Sequence, residues 1–325
     1  RSFYSGFTTV AGSYLGYLAE GAGTQLVTPT ASIRDMTDAA WVAGATMTVA
    51  KTGIGIDGVA NSCSRLTGGA VTATNIILQT LVAAASSRTY SVWLRRVTGT
   101  GIVNITQDGG ATWTAVTSSL TTANFVRVSL TASILSAAFG IQVETSGDVV
   151  LADFNQFEAG GFATSPMASA GAARNADVLT YPTTGWLNAA AGTMFVDGIP
   201  TQISAVSGWL SFDDGTTSNR IDIAALTNGN FSPAVVDGGV VQANITTAGY
   251  AVGTQFRFAQ AYAANNFAAC NNGGTVGTDT SGTVPAVTTA RIGIDTASRN
   301  AYGPIRRVAY YGARLANATL QGLTT

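Results

Sequence analysis

The stretch Tyr90-Ser-Val-Trp-Leu-Arg-Arg96 alternates between apolar and polar side chains, and this alternation decides the fold. Successive side chains of a strand point to opposite faces, so a period of two predicts a strand with one buried face. The pattern returns in short runs bounded by Gly, Asn and Asp, at residues 101–105, 125–130, 140–144, 149–154, 193–197, 220–223, 256–262 and 306–311. Because no helical pattern separates these runs, the sequence predicts antiparallel β-sandwiches.

Length and local breaks predict how the strands are divided. A chain of 325 residues exceeds one ordinary sandwich. Residues 164–174 are small, polar and weakly patterned, as a crossing between domains should be, which places the boundary near residues 161–174. We therefore expect an unassigned segment at 1–15, a first domain at 16–165 and a second at 166–325. The predicted fold is all-β, with two antiparallel β-sandwich (jelly-roll) domains and a short C-terminal helix at 315–323, whose first turn Asn317 is expected to cap.

Charge and hydropathy exclude several classes of protein. Sixteen basic and seventeen acidic residues give a net charge of −1, and no polybasic run is present to bind nucleic acid. Polar residues interrupt every apolar run before the roughly 20 residues that a membrane span needs, so membrane insertion is not expected.

Only 10% of residues are charged, which favours burial of surface in a homo-oligomer. Cys63 and Cys270 are expected to be free, buried thiols, and the start at Arg1 suggests a processed or truncated N-terminus.

Catalytic chemistry has little support in the composition. The chain contains no histidine, which removes the commonest general base and the Ser-His-Asp arrangement. Its only glutamates, Glu20, Glu144 and Glu158, are far apart in sequence, whereas glycoside hydrolysis needs two carboxyl groups at one bond. Residues 53–58, Gly-Ile-Gly-Ile-Asp-Gly, match the dinucleotide-binding fingerprint, but no helix is predicted to follow, so a turn is the preferred interpretation. We predict that the chain is not an enzyme.

Two binding functions have candidate residues. Calcium prefers oxygen ligands, which Asp213, Asp214, Asn219 and Asp222 offer close together in sequence; a hairpin turn is the preferred alternative. No other cofactor is predicted.

Sugar binding pairs an aromatic platform with a few polar groups that fix the hydroxyls. Trp113 and Asp108, in a glycine-rich turn, are the first-domain candidates, and Trp209 and Tyr250 those of the second domain. Trp93, in an alternating strand, is expected to be buried. Gln156 and Glu158 have suitable polar chemistry but alternate with phenylalanines, so a structural role is preferred for both.

Several segments resemble known phage proteins. Three of them, residues 16–26, Thr89-Tyr-Ser-Val-Trp-Leu94 and Asp153-Phe-Asn-Gln-Phe-Glu158, resemble the opening, central and closing strands of the carbohydrate-binding-module-like jelly rolls of tailed-phage structural proteins. In the second half, residues 259–267 with Asn271-Asn-Gly-Gly274, then 278–285 and 303–311, resemble phage proteins with a concanavalin A-like, laminin G-like sandwich.

The resemblance implies a tail, fibre or decoration protein on the virion surface, on the tail or the capsid exterior, with other virion proteins as partners and a trimer as the favoured oligomer. The leading hypothesis is a non-enzymatic adhesin for host-surface glycans. The alternatives are a purely structural decoration or spacer protein and, less favoured, a polysaccharide depolymerase.

Overall fold

The computed structural model describes residues 16–28, 30–167, 173–203 and 205–325. The described chain is nearly all β with one short C-terminal helix, so the predicted fold class is confirmed. It divides into two compact units, one of Ala22–Asn175 and one that joins residues 16–21 to Ala176–Thr325. Within the described ranges, no helix is both long and apolar enough to cross a bilayer.

The elements follow one another along the chain as antiparallel strands. Up to residue 175 they are β1 (Tyr17–Ala19), β2 (Gly23–Thr24), β3 (Val42–Ala43), β4 (Thr48–Gly53), β5 (Cys63–Thr67), β6 (Ile76–Thr80), β7 (Ser86–Thr98), β8 (Val103–Thr106), β9 (Thr114–Ala115), β10 (Val126–Ile134), β11 (Ala138–Val143), β12 (Val149–Ala159) and β13 (Ala173–Arg174). Three short 3-10 helices lie among them at Thr30–Ile33, Thr72–Thr74 and Thr117–Ser119.

The remaining elements belong to the second half. They are β14 (Leu179–Pro182), β15 (Ala191–Gly198), β16 (Ser207–Asp213), β17 (Arg220–Ala225), β18 (Asn230–Phe231), β19 (Ala234–Asp237), β20 (Val240–Asn244), β21 (Thr247–Ala248), β22 (Phe256–Ala263), β23 (Phe267–Asn271), β24 (Gly277–Asp279), β25 (Thr289–Ile292), β26 (Gly303–Tyr311) and the helix α1 (Asn317–Thr324).

The first unit packs two five-stranded sheets around one core. Their strand orders are β10-β7-β12-β5-β4 and β3-β6-β11-β8-β9. The alternation in β7 has the predicted effect, since Tyr90, Val92 and Leu94 all enter the core. At its centre Phe139 stacks on Phe157 with ring centroids 4.2 Å apart. Trp93, on the opposite face of β7, is also buried, as predicted.

The outer face of the β7–β12 sheet carries a buried polar network. Glu158 accepts hydrogen bonds from Gln156 Nε2 at 2.6 Å and from the backbone N–H and hydroxyl of Thr164 at 2.9 and 2.7 Å. Gln156 Oε1 accepts from the Met167 N–H at 2.9 Å. The structural role predicted for Gln156 and Glu158 is therefore confirmed, because both fasten the segment after β12 to the sheet.

The glycine-rich segment 53–58 is a turn, as predicted. β4 ends at Gly53, and the Gly58 N–H then donates to the Gly55 carbonyl at 3.0 Å. No helix follows whose N-terminus would receive a pyrophosphate, so the dinucleotide interpretation has no structural basis.

An arginine ties this turn to β12. The guanidinium of Arg34 forms a two-pronged pair with the buried Asp153, Nε to Oδ1 at 2.7 Å and Nη2 to Oδ2 at 2.8 Å, and contacts Asp57 at 2.5 Å. Asp153 also accepts the Ile56 N–H at 2.9 Å. The Arg34 guanidinium lies 4.6 Å from the ring centroid of Phe154, at a bulge in β12 where the backbone adopts φ +44°. One cation thus holds three segments of the first unit together.

The second unit is a sandwich of a six-stranded sheet, β1-β26-β15-β22-β23-β24, and an eight-stranded sheet that runs β14-β25-β16-β17-β18-β21 with β19 and β20 attached through β17. β1 pairs with β26, Tyr17 opposite Ile305. This differs from the expected boundary at 16, because residues 17–19 complete the second sandwich. Backbone pairing at a sheet edge leaves little trace in the amino-acid pattern of so short a strand.

The terminal helix is shorter than expected and is capped differently. α1 begins at Asn317, and Ala316, in an extended conformation, is the N-cap residue without a side-chain hydrogen bond. The prediction that Asn317 caps the helix is therefore wrong. Leu320 is buried against Ala259 and Cys270 of the six-stranded sheet, so packing rather than capping holds α1 in place.

Candidate functional site

Trp209 and Tyr250 are not binding residues. Both are buried in the core of the second unit, with ring centroids 6.0 Å apart, and Phe256 lies 4.7 Å from Trp209. The Tyr250 hydroxyl contacts the Ser207 hydroxyl at 3.0 Å. Their prediction as sugar platforms is wrong, because a ring enclosed by other rings offers no face to a ligand.

Arginines occupy the place that calcium was predicted to take. Asp213 Oδ2 accepts from Arg291 Nε at 2.8 Å, and Asp222 Oδ2 from Arg220 Nε at 3.0 Å and Arg299 Nη2 at 3.3 Å. Burial, the largest influence, raises the pKa of Asp222 above its usual value, while the arginines act against it. The two carboxylates are already compensated by cations of the chain itself.

The other two predicted calcium ligands form a hairpin loop. Asp214 accepts from Asn219 Nδ2 at 2.8 Å and from the backbone N–H of Thr216 at 2.8 Å; the hydroxyl of Thr216 is the first cause of a lowered pKa for Asp214. Among the described residues no three Asp, Glu or Cys side chains are grouped to hold a metal ion. The calcium prediction is therefore wrong, and the hairpin interpretation describes these residues.

Trp113 and Asp108 do lie on one loop at the edge of the first unit. Asp108 Oδ1 accepts from the Thr106 hydroxyl at 2.7 Å and from the Thr112 N–H at 2.9 Å. Burial acts to raise the pKa of Asp108, but these hydrogen bonds outweigh it and lower the pKa below its usual value. The Trp113 indole lies against Gly110, where an added Cβ would come within 2.6 Å of the ring. Half-buried Trp113 and Asp108 remain binding candidates.

The sheet beside this loop presents a row of polar groups. Asn104 Nδ2 donates to Gln142 Oε1 at 2.9 Å and to Glu144 Oε1 at 2.8 Å. Val103 and Ile105 enter the core, so strand alternation directs Asn104 between them to the outer face of this sheet. An amide–carboxylate row therefore lies on the outer face of the strand that precedes the Trp113 loop.

Trp186 is an exposed aromatic residue that the sequence reasoning missed. It follows β14 and leaves 42% of its surface exposed at the rim of the second sandwich. Its Nε1–H donates to the Pro182 carbonyl at 2.7 Å, and its ring meets Tyr310 and Phe212 edge-to-face at 5.2 and 5.6 Å. Tyr181, one residue before Pro182, is 51% exposed. Trp186 is thus an exposed ring in a fixed orientation.

Polar groups next to Trp186 are also fixed. The Tyr310 hydroxyl accepts the Asn188 N–H at 2.8 Å and lies 3.3 Å from the Tyr262 hydroxyl, and Asn188 Nδ2 donates to the Gly312 carbonyl at 2.9 Å. Burial, and then the hydrogen bond with Tyr310, raises the pKa of Tyr262 far above its usual value. We name Tyr181, Trp186, Asn188 and Tyr310 the aromatic rim, and none of these four residues is Asp, Glu, Lys or Arg.

A local signal for Trp186 existed in the sequence. Pro182-Thr-Thr-Gly-Trp186 is turn chemistry rather than strand alternation, and an aromatic residue within a turn has a higher chance of exposure than one in an alternating strand. The same reasoning selected Trp113 in Asp108-Gly-Gly-Ala-Thr-Trp113.

Comparisons with known proteins give no family. No family profile matches the chain, and no curated protein matches it. Matching solved structures include CBM40 of Ruminococcus gnavus IT-sialidase bound to alpha2,3 sialyllactose, with 16% identity over 42% of this chain and 82% of that one and a TM-score of 0.37. A heptameric SAP-like pentraxin from Limulus polyphemus is 12% identical over 43% of this chain and 73% of the pentraxin chain, with a TM-score of 0.35. The K499G mutant of NanB sialidase from Streptococcus pneumoniae is 11% identical over 45% of this chain and 27% of the sialidase chain, with a TM-score of 0.38.

These similarities are low in identity and in TM-score. The function proposed below rests on the residues of this chain.

Proposed function

We propose that this chain is a non-enzymatic glycan-binding protein whose main sugar platform is Trp186. The observation that carries the proposal is a tryptophan that is 42% exposed while its ring is held by Tyr310, Phe212 and the Pro182 carbonyl. An aromatic ring kept exposed in one orientation loses little conformational entropy when a ligand stacks on it.

The chemistry of the aromatic rim favours sugars over other ligands. Pyranose rings have an apolar face that stacks on aromatic side chains and hydroxyl groups that need polar partners. Tyr181 adds a second exposed ring close in sequence, and Asn188 and Tyr310 add polar groups. None of the four residues is Asp, Glu, Lys or Arg, which favours an uncharged part of a glycan. Trp113 and Asp108 provide a second candidate surface on the first unit.

A role without catalysis is supported by the positions of the acidic residues. The chain has no histidine, and Glu158 is buried in hydrogen bonds with Thr164. Asp213 and Asp222 are buried and paired with arginines. A depolymerase would need an accessible pair of carboxyl groups, whereas the carboxyl groups of Glu158, Asp213 and Asp222 are buried.

The setting that we propose is the surface of a tailed-phage virion, on the tail or the capsid exterior. Support comes from the resemblance of segments such as Asn271-Asn-Gly-Gly274 and residues 303–311 to phage structural proteins. A low charge content of 10% supports assembly with copies of itself, a trimer being favoured, and with other virion proteins.

The test is binding of the purified chain to a glycan array and to extracted bacterial surface polysaccharides. Wild-type protein should bind at least one glycan saturably, and Trp186→Ala should weaken that binding at least tenfold, about 1.4 kcal/mol, as loss of a central aromatic anchor does. Val178→Ala is the matched control, because Val178 is an exposed apolar residue near Trp186 in sequence but offers no ring. It should bind like wild type.

Two results would contradict the proposal. Saturable binding that survives in Trp186→Ala but disappears in Trp113→Ala would place the site on the first unit. Binding to no glycan at all would remove glycan recognition and favour the structural alternative.

That alternative, a decoration or spacer protein, is favoured by one observation. Val82 and Leu135 are 84% and 70% exposed on two loops joined by a hydrogen bond from the Ser136 N–H to the Ala83 carbonyl at 2.9 Å. Neighbouring exposed apolar residues mark protein contacts. If this role is correct, Val82→Asp with Leu135→Asp should abolish assembly with virion proteins or with other copies, measured by light scattering, and leave glycan binding unchanged.

A further inference from the structure

We infer that the second unit has another binding site, a cleft for an uncharged sugar at the sheet edge opposite to the aromatic rim. The strand orders place β14 and β26 towards one side of this sandwich, and β21, β23 and β24 at the other. The inference does not depend on Trp186, and it goes beyond the proposed function by adding a second site of different construction.

The cleft has the size and lining of a small-ligand site. It is an open cleft of about 310 Å³ between β21, the end of β23 and the start of β24, and it is lined by Thr246, Thr247, Ala248, Asn271, Gly274, Thr275 and Gly277. Ligand pockets begin at roughly 300 Å³. The cleft is thus large enough for about one sugar ring, and its lining consists of threonine hydroxyls, one amide, glycine backbone and Ala248.

Two polar atoms of the lining have no hydrogen-bond partner among the described residues. Asn271 is 8% exposed; its Nδ2 donates to the Ala248 carbonyl at 2.8 Å, but its Oδ1 accepts no hydrogen bond. The Thr247 hydroxyl is likewise buried without a partner. Leaving a buried polar atom unpaired costs about 1–3 kcal/mol, so such atoms usually have a partner. Hydroxyl groups of a sugar supply both the donors and the acceptors that these two atoms lack.

Glycines shape the cleft and keep it open. Asn272 and Gly273 have φ +47° and +66°, and the Gly274 N–H donates to the Asn271 carbonyl at 2.9 Å, which together make a tight turn. At Gly249, which has φ +104°, an added Cβ would come within 2.9 Å of Asn271 Nδ2. The backbone geometry therefore positions the Asn271 amide and leaves space beside it.

The absence of charge in the lining defines the ligand class. None of the seven lining residues is Asp, Glu, Lys or Arg. A carboxylate or sulfate group placed in the cleft would lose hydration without gaining a cation in exchange. A neutral hexose unit meets the lining chemistry, whereas a sialic acid does not.

The experiment is an NMR titration of the full chain with the neutral probes methyl α-D-glucopyranoside, methyl α-D-mannopyranoside and methyl β-D-galactopyranoside, and with N-acetylneuraminic acid as the anionic comparison. At least one neutral glycoside should shift the backbone amides of Gly274 and Gly277 and the side-chain amide of Asn271 saturably. N-acetylneuraminic acid should bind at least tenfold more weakly at these signals.

Two variants test the assigned residues. Thr247→Val removes a hydroxyl that has no partner in the part of the chain that the structure describes, so the fold should be unchanged, while affinity should fall roughly 3- to 10-fold through one lost hydrogen bond. Trp186→Ala should leave the shifts unchanged, which separates this site from the proposed platform.

The inference is overturned if no neutral glycoside shifts these signals saturably up to solubility. It is also overturned if N-acetylneuraminic acid binds as well as the neutral sugars, or if Thr247→Val retains wild-type affinity. None of these results bears on glycan binding at Trp186, which Trp186→Ala measures independently.

Discussion

Replacing Arg34 by alanine should destabilise the first unit by about 3 kcal/mol. Arg34 makes the two-pronged pair with Asp153, whose side chain is fully buried. Removing one partner of a buried ion pair typically costs about 3–5 kcal/mol, because an uncompensated charge stays inside the protein. We expect the lower end, since the Arg34 side chain is itself 23% exposed and Asp153 keeps hydrogen bonds from the Ile56 and Phe154 N–H groups.

Urea unfolding followed by tryptophan fluorescence and by circular dichroism measures this effect. With an m-value of about 2 kcal/mol/M, the midpoint of the first-unit transition should fall by roughly 1.5 M while the m-value stays unchanged. Asp57→Asn is the matched control, because it breaks the partly exposed ion pair that Arg34 forms with Asp57 and leaves the pair with Asp153 intact. It should cost no more than about 1 kcal/mol.

Arg34→Lys should lie between these two variants, since lysine keeps the charge but cannot form both hydrogen bonds. If Arg34→Ala cost no more than Asp57→Asn, the burial of Asp153 would not depend on its arginine, and the reasoning would be refuted.

Three further outcomes are expected. Burial raises the pKa of the Cys63 thiol to about 12. Cys63 should therefore not react with a thiol reagent at pH 8 in the native protein, but should react after unfolding. Rapid labelling of Cys63 in the native protein would contradict its burial. Gly140→Ala should lower the free energy of unfolding of the first unit by about 1–3 kcal/mol, because the new Cβ would lie 1.9 Å from the Ile77 carbonyl oxygen. An unchanged melting temperature would show that β6 and β11 can move apart at this point without loss of stability. The hydrogen bond with Arg34 is the first cause of a lowered pKa for Asp57, and hydrogen bonds that outweigh burial lower the pKa of Asp108. The stability that each carboxylate contributes is therefore present above pH 4 and is lost as the pH falls through the folded-state pKa. A free energy of unfolding that stays constant from pH 5 to pH 2, or an Asp57→Asn variant with the acid sensitivity of the wild type, would argue against this.

Strand alternation predicted the fold because it is a local property. The residues of β7 that alternate in sequence, Tyr90, Val92 and Leu94, are the ones that enter the core. The same rule places Trp113 and Trp186 in turns rather than in strands.

The binding candidates that failed depend on distant contacts. Arg220 is the one cation close in sequence to Asp213 and Asp222, and it pairs with Asp222, whereas Arg291 and Arg299 reach these carboxylates from 78 and 77 positions away. Tyr250 follows a short edge strand, and its burial depends on Trp209 and Phe231. The local sequence pattern does not show which side chains from distant parts of the chain cover a residue. The burial and pairing of these residues could therefore be found only from the folded structure.

The cleft at Asn271 was inaccessible to sequence reasoning for a similar reason. Its lining comes from β21, β23 and β24, which belong to two different sheets. The orphaned atoms of Asn271 and Thr247 are identified only by what surrounds them.

The most direct test of the central claim is to follow the tryptophan indole N–H signals by NMR while adding the tightest-binding oligosaccharide from the glycan array. The account predicts a saturable shift of the Trp186 signal, with a dissociation constant equal to that from the array, and no shift of the buried Trp209 signal in the same unit. Saturable binding that leaves the Trp186 signal unmoved would contradict the claim that Trp186 is the sugar platform.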